Sequence, residues 1–240
     1  MLRAVKCIVL RTVRYNDKSS IVTVYSRELG RMSFVSPAGA SREATRRRAL
    51  LMPLSVIDCV ADDRPGKELL TVRDISRSGG FDFSETPQKG VTALFIADFL
   101  NSTLNERQPD EAMFDFIVSA INRLGEISGT ALANFHIAFM VNLQHYLGIF
   151  PDISTYRPGR VFDIVDGVYR ATAPLHGKYL DREEASFSVL FSRMTLRNMG
   201  LYRLNREQRN RAVDIILDFY SHHLGDLRDL QSLDVVRSLF

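Results

Sequence analysis

The first third of the chain alternates between apolar and polar positions. Residues 20–26 (SIVTVYS) place Ile21, Thr23 and Tyr25 on one face and Val22 and Val24 on the other, the two-residue period of a strand. Residues 31–36 (RMSFVS) alternate in the same way. Residues 5–14 (VKCIVLRTVR) are apolar on both parities from Cys7 to Leu10, the pattern of a strand covered by its neighbours. Residues 52–61 and 68–76 read as a fourth and a fifth strand, with Pro53 near the start of the fourth, where a missing N–H is tolerated. Asn16-Asp17, Leu29-Gly30 and Arg64-Pro65-Gly66 supply turns. A long loop of small and basic residues, 38–49, follows the third strand.

After Ser78-Gly79-Gly80 the period changes to that of helices. Thr86-Pro87 opens the first, with a stripe of Val91, Leu94, Phe95 and Phe99. Asp110 caps the next, with Met113, Phe114, Ile117, Ile121 and Leu124 at helical spacing and Gly125 as its stop. Residues 131–147 are apolar nearly all round, which predicts a central buried helix ending at Gly148. Residues 149–180 break the helical pattern with Pro151, Pro158, Gly159 and Pro174. Within them, Phe162 to Tyr169 reads as a β-hairpin with a type I′ turn at Asp166-Gly167. Asp181 with Glu184, and Asn205 with Gln208, are capping boxes for helices over 182–193 and 206–223. The inner face of the second is Val213, Ile216, Leu217 and Tyr220, and the tail from Leu233 to Phe240 has room for one more short helix.

The expected fold is therefore α+β. A five-stranded barrel occupies residues 1–80, and a helical domain occupies 81–240, with a small inserted β-hairpin lobe over 149–180. Five strands with one long loop after the third fit an OB-fold, and an SH3-like barrel is the structural alternative. Composition changes little: 45% hydrophobic and 25% charged residues over 240 positions suffice for a proper core. No apolar run reaches membrane length, and the N-terminus has no signal segment, so a cytoplasmic protein is expected. Cys7 and Cys59, both in apolar strand contexts, are expected to be reduced and buried.

Charge adds more. Residues 1–80 hold 15 Lys and Arg against 8 Asp and Glu, a net +7, while the remainder carries −4. A basic half points to a polyanion. Arg42, Arg46, Arg47 and Arg48 lie in the long loop with one acid, Glu43. Guanidinium forks grip phosphate oxygens in pairs, so these four, with Arg11, Lys18 and Arg31 on the barrel, are the candidate phosphate contacts. Tyr15, Tyr25 and Phe34 would stack bases if exposed, and the simpler reading puts Tyr25 and Phe34 in the barrel core. A second basic cluster, Arg203, Arg206, Arg209 and Arg211, sits where a helix begins and cations oppose its dipole. Either Arg203, Arg206 and Arg209 extend a nucleic-acid track, or the cluster pairs with Asp181, Glu183 or Glu207. Two cysteines far apart and five scattered histidines offer no zinc site, and no catalytic motif is present. No metal, no cofactor and no enzymatic activity are expected. RNA binding and protein binding are the competing readings.

The first domain resembles the RecO family of bacterial recombination mediators. The resemblance rests on Val9-Leu10-Arg11-Thr12, Tyr15, Asp17-Lys18, Ile21 to Ser26, Glu28 and Gly30-Arg31-Met32, followed by the small-residue and arginine segment. It covers the whole chain, most closely residues 5–60, and includes the ending from Ser232-Leu233 to Leu239. It implies an N-terminal OB-fold, a helical domain and a small lobe between helices. It also implies binding to single- and double-stranded DNA, annealing of complementary strands, and action with RecR on DNA covered by single-strand-binding protein, whose acidic C-terminal tail is a partner, so that RecA loads. Such work would place the protein at the nucleoid. Many members carry four zinc-binding cysteines in the small lobe. This sequence has none there, so the lobe is expected to stand without metal on Tyr156, Phe162, Tyr169 and its hairpin.

Overall fold

A computed structural model describes residues 1–39, 41–63, 69–79, 86–104, 108–225, 227 and 230–240. The chain forms two compact units, Met1–Glu126 with Leu230–Ser232, and Ile127–Asp229 with Leu233–Phe240.

The first unit is built on five strands, β1 (Leu2–Asn16), β2 (Ser19–Ser26), β3 (Gly30–Pro37), β4 (Val56–Asp62) and β5 (Leu69–Gly79). They close into a barrel in the order β1-β2-β3-β5-β4, with β4 returning to β1. All pairs are antiparallel except β3 with β5, where Phe34 lies beside Leu70. One face of each strand turns inward: Val22, Val24, Met32 and Phe34 fill the barrel with Val5, Cys7 and Val9. Cys7 and Cys59 are free and buried within it, their Sγ atoms 4.0 Å apart on the adjacent strands β1 and β4.

Two details depart from the sequence reading, and a third falls outside the described residues. The fourth strand starts at Val56, not at Met52, because residues 51–54 turn and Leu54 adopts φ 60°. The Arg64-Pro65-Gly66 turn lies outside the described residues. The long loop expected at 38–49 holds a helix, α1 (Arg42–Leu50). Ser41 caps it, its side chain accepting the Ala44 N–H at 3.1 Å. Glu43 sits in its first turn and Arg47 and Arg48 in its last, the charge order a helix dipole favours. Arginine and alanine are good helix formers, and here they outweigh the small residues before them.

Two helices, α2 (Pro87–Thr103) and α3 (Glu111–Glu126), belong to the same unit. On α2, Phe95 and Phe99 are buried as expected, but Leu94 is 47% exposed, and Ile96 and Leu100 are buried in its place. The Asp110 carboxylate caps α3 by accepting the Met113 N–H at 2.9 Å. The helix runs one residue past Gly125.

The second unit packs around α4 (Gly129–Tyr146), whose Phe135, Ile137, Phe139 and Met140 are all buried. Gly148 follows it at φ 69°. Helices α5 (Arg182–Ser192), α6 (Arg206–Leu224) and α7 (Leu233–Leu239) complete the unit. Asn205 and Gln208 form the full reciprocal box at the start of α6. At α5 only half the box forms: Asp181 accepts the N–H groups of Glu183 and Glu184, while the Glu184 carboxylate turns to Arg211. A charged donor outcompetes a backbone amide for that carboxylate.

The lobe carries β6 (Val161–Asp163), β7 (Val168–Arg170) and β8 (Tyr179–Leu180) in the order β7-β6-β8. Its turn is not type I′. Asp163 pairs with Val168, leaving four residues between the strands, and only Gly167 has positive φ. The Asp163 side chain accepts the N–H groups of Val165 and Asp166 and winds the loop into a wider turn. Among the described residues, no helix is long and apolar enough to cross a membrane.

Candidate nucleic-acid interface

The frame is β1. Its pairing with β4 ends at Ile8 and Val56, and a bulge follows between Val9 and Arg11. The segment after α1 takes over the vacated edge. The Val9 N–H donates to the Ser55 carbonyl (2.9 Å) and the Leu54 N–H to the Val9 carbonyl (2.8 Å). The Thr12 hydroxyl donates to the Leu51 carbonyl (3.2 Å). Ahead of α1, the Ala38 N–H donates to the Lys18 carbonyl (2.8 Å), which holds the chain at the β1–β2 hairpin. The segment bearing α1 is thus tied to the β1–β2 hairpin before the helix and to β1 after it. That brings its arginines into the neighbourhood of Arg11 on β1 and Lys18 on the hairpin.

On α1 the buried residue is Ala44. Arg42 and Arg46, four apart, share an outward face, and Arg48 is exposed while Arg47 is half-buried. Arg48 donates to the Thr45 hydroxyl at 3.1 Å within the helix. Arg11 and Lys18 are exposed. Arg14 beside them pairs with Asp17 at 2.6 Å. The surface is therefore rich in guanidinium groups, with Glu43 the acid on α1. It is a surface of fixed positive charge.

Arg31 does a different job. Its guanidinium donates to the carbonyls of Asn101 (2.7 Å) and Leu104 (2.8 Å) and to the Asn101 side chain (3.0 Å). It satisfies carbonyls at the C-terminal end of α2 that the helix itself leaves open. Burial lowers its pKa. Arg27 likewise is held by Asp115 (3.1 Å) and Glu111 (2.9 Å) on α3. Of the aromatic candidates, only Tyr15 is open, at 68% exposure. Phe34 is inside the barrel. Tyr25 is buried on the outer side of the sheet, where its hydroxyl meets the Asp110 N–H at 3.2 Å and its ring stacks on Phe114.

The second cluster divides. Arg209 donates to the main-chain oxygens of Leu204 and Phe240, and burial lowers its pKa. Arg211 pairs with Glu184 rather than with Asp181, Glu183 or Glu207. Arg206 donates through Nε to the Arg237 carbonyl at 3.2 Å with its side chain exposed, and Arg203 is exposed. Arg73 and Arg77, which the reading of the sequence did not single out, are exposed on β5, the strand that α1 packs against. The charge balance of the first 80 residues was the available sign of them.

In the lobe, Phe162 and Tyr169 are buried with ring centroids 4.8 Å apart, and Tyr156 meets Tyr169 edge-on at 5.2 Å. Asp163 lies beneath them as a buried carboxylate, bound by Arg170 (2.7 Å) and His176 (3.2 Å). Burial pushes this carboxyl up, but the Asp166 amide, the Arg170 guanidinium and the Val165 amide outweigh it and hold it below its ordinary value. These residues do not fit zinc. The lobe has no cysteine, and its buried carboxylate already faces a fixed cation. Among the described residues, no group of three or more His, Cys, Asp or Glu side chains is placed to hold a metal ion.

Comparison with known proteins places this geometry in a family. Family models described as "Recombination protein O N terminal" and "Recombination protein O C terminal" match residues 1–81 and 85–233. Proteins called "DNA repair protein RecO" match over the full length of both chains, at 36% identity in Phocaeicola vulgatus, 34% in Bacteroides fragilis and 32% in Porphyromonas gingivalis. The closed OB barrel, the helices that follow it and these matches along the whole chain establish that this protein belongs to the RecO family of DNA repair and recombination proteins.

Proposed function

We propose that this protein is a recombination mediator that binds single- and double-stranded DNA and anneals complementary single strands. With RecR, it would help RecA load onto DNA covered by single-strand-binding protein, whose acidic tail would be a further partner. The observation that carries the reading is the gathering of Arg42, Arg46, Arg47 and Arg48 on a helix tied to β1 beside Arg11 and Lys18. Annealing needs no covalent chemistry. Two strands repel through their phosphates, and a protein that neutralises both lets their bases meet. Arg11, Lys18 and the four α1 arginines are the proposed phosphate contacts. Arg31, already bound to α2, is left out of the set. Arg203 and Arg206 are kept as a second DNA patch, without Arg209, which binds main-chain oxygens.

The test is fluorescence anisotropy of a labelled single strand at several salt concentrations, with an Arg46/Arg47/Arg48→Ala variant alongside. Each lost phosphate contact should flatten the slope of log affinity against log salt by about 0.7, so the variant's slope falls by about 2. A wild type that fails to bind at low salt would overturn the proposal. RNA of the same length is the competitor that separates DNA binding from a general affinity for polyanions. Arg203/Arg206→Glu tests the second patch, and unchanged affinity on long strands would remove it.

A further inference from the structure

Cys7 on β1 and Cys59 on β4 stand inside the barrel with their Sγ atoms 4.0 Å apart. The strands are antiparallel neighbours, but the cysteines are not directly opposed: Cys7 faces Ile57, and Cys59 faces Val5. They are diagonal partners, whose Cα atoms in a regular ladder lie about 7–8 Å apart. Both are free, at 0% and 3% exposure. The hydrogen bond between them, with burial adding to it, pushes the Cys7 thiol up. The same bond holds Cys59 below its ordinary value against its own burial. Cys59 is therefore the readier thiolate, with a thiol beside it. The seam that joins them leads to the tether of α1. Val9 follows Cys7 by two residues on β1, and its N–H and carbonyl bond Ser55 and Leu54, just ahead of β4.

We propose that Cys7 and Cys59 are a redox pair, and that their disulfide loosens the tether of α1 and weakens its hold on DNA. The last clause rests on the DNA-binding reading; the thiol chemistry does not. The oxidant is a peroxide. The Cys59 thiolate, its proton released, attacks one peroxide oxygen and breaks the O–O bond. Cys59 becomes a sulfenic acid, and the departing hydroxide takes up the released proton as water. The Cys7 sulfur then attacks the Cys59 sulfur. The S–S bond forms, the S–O bond breaks, and hydroxide leaves as water with the Cys7 proton. Two thiols are oxidised to one disulfide, and the peroxide is reduced to two waters. Burial makes the first step slow, because peroxide reaches Cys59 only when the barrel opens locally. A disulfide draws its Cα atoms within about 4.4–6.8 Å. The diagonal pair is spaced more widely, so closing it pulls β1 and β4 out of register. The strain runs to the end of the seam, where Val9 holds Leu54 and Ser55 and where β1 already bulges before Arg11. A strained disulfide is also readily reduced, so the change reverses with a thiol reductant.

The experiment treats the reduced protein with hydrogen peroxide and follows intact mass and the thiols counted after denaturation. Wild type should lose both thiols and two hydrogens, gain no oxygen, and recover both thiols in dithiothreitol. In Cys7→Ala the reaction should stop at a sulfenic acid on Cys59, trapped by dimedone. In Cys59→Ala the Cys7 thiol should persist over the same time. Hydrogen exchange at Val9 and Leu54 should be faster in oxidised than in reduced wild type, with the β2–β3 ladder unchanged. Affinity for a labelled single strand should fall by about 5-fold on oxidation, the scale of one such hydrogen bond, and return on reduction. Circular dichroism checks the variants. If either fails to fold, mass and exchange on wild type decide. Thiols that survive, or that gain oxygen without joining, would leave the pair as barrel packing and overturn the proposal. So would a disulfide that leaves exchange at Leu54, or the affinity of a DNA-binding protein, unchanged. A reduced protein that binds no DNA removes the DNA-binding reading alone, and mass and exchange still judge the redox pair.

Discussion

Arg31 and Arg46 carry the same guanidinium, and burial decides what each can reach. Arg46 stands on an exposed helix face, whereas Arg31 is half-buried and turned to the end of α2. Removing it leaves helix-end carbonyls without a donor. Arg31→Ala should lower stability by roughly 1–3 kcal/mol in urea unfolding. Arg31→Lys should rescue little of that, because an ammonium cannot span the three acceptors as the planar fork does. DNA affinity per folded molecule and its salt slope should stay as in wild type, and a flattened slope would return Arg31 to the phosphate contacts. His136 gives a second prediction at this scale. Burial, with Arg209 adding to it, pushes its pKa down to about 3. The unfolded chain takes up that proton near pH 6.5 and the folded chain does not, so stability from this group is full above about pH 6.5 and falls as the pH drops toward 3. At pH 5 the loss is about 2 kcal/mol. His145 and His222 are lowered too, chiefly by burial, and act in the same sense. The urea midpoint should fall between pH 7 and pH 5 in wild type, and less steeply in His136→Phe. Equal slopes would place the pH sensitivity elsewhere.

Elements organise these residues. The helix α1 has one buried side chain, Ala44, and depends on its ends: the Ser41 cap, and the segment after it that is bonded to β1 through Leu51 and Leu54. Ser41→Ala should cost about 1 kcal/mol of local stability. Hydrogen exchange at residues 43–46 should speed up while the barrel strands keep their protection. If exchange there is unchanged, the flanking tethers hold the helix without its cap. The lobe is organised by Asp163. One buried acceptor gathers a guanidinium, an imidazole and two backbone N–H groups. Asp163→Ala leaves all four without it, so limited proteolysis should cut within 164–178 well before the rest of the chain. A cleavage pattern like that of wild type would show that the Phe162, Tyr156 and Tyr169 packing suffices.

For the whole molecule, the charge split sets the expected behaviour with DNA. The first 80 residues carry +7 and the remainder −4, so association should weaken as salt screens the basic half. If Arg11, Lys18 and the four α1 arginines all meet phosphates, the log–log slope for a single strand should be about −4. A slope near −1 would mean that most of them point at solvent.

Much of this was written in the linear pattern. Alternation separated the two faces of each barrel strand, Val22 and Val24 against Ile21, Thr23 and Tyr25, but did not tell which of them turns inward. The reading that put Tyr25 in the barrel core is corrected by the structure, where Val22 and Val24 fill the barrel and Tyr25 is buried on the outer face against Phe114. Caps at Asp110, Asp181 and Asn205 marked helix starts, because their acceptors act within three residues. The arginine cluster was legible as a cluster. Its helix was not, since Ala44 is a weak apolar signal and the bonds that hold the segment run to Lys18, Val9 and Thr12, distant in sequence. The separation of Arg31 from Arg46, the withdrawal of Arg209 to carbonyls, and the exposure of Tyr15 beside the burial of Tyr25 were decided only by tertiary structure. Local pattern records what a side chain is, and burial by distant elements determines what it can touch.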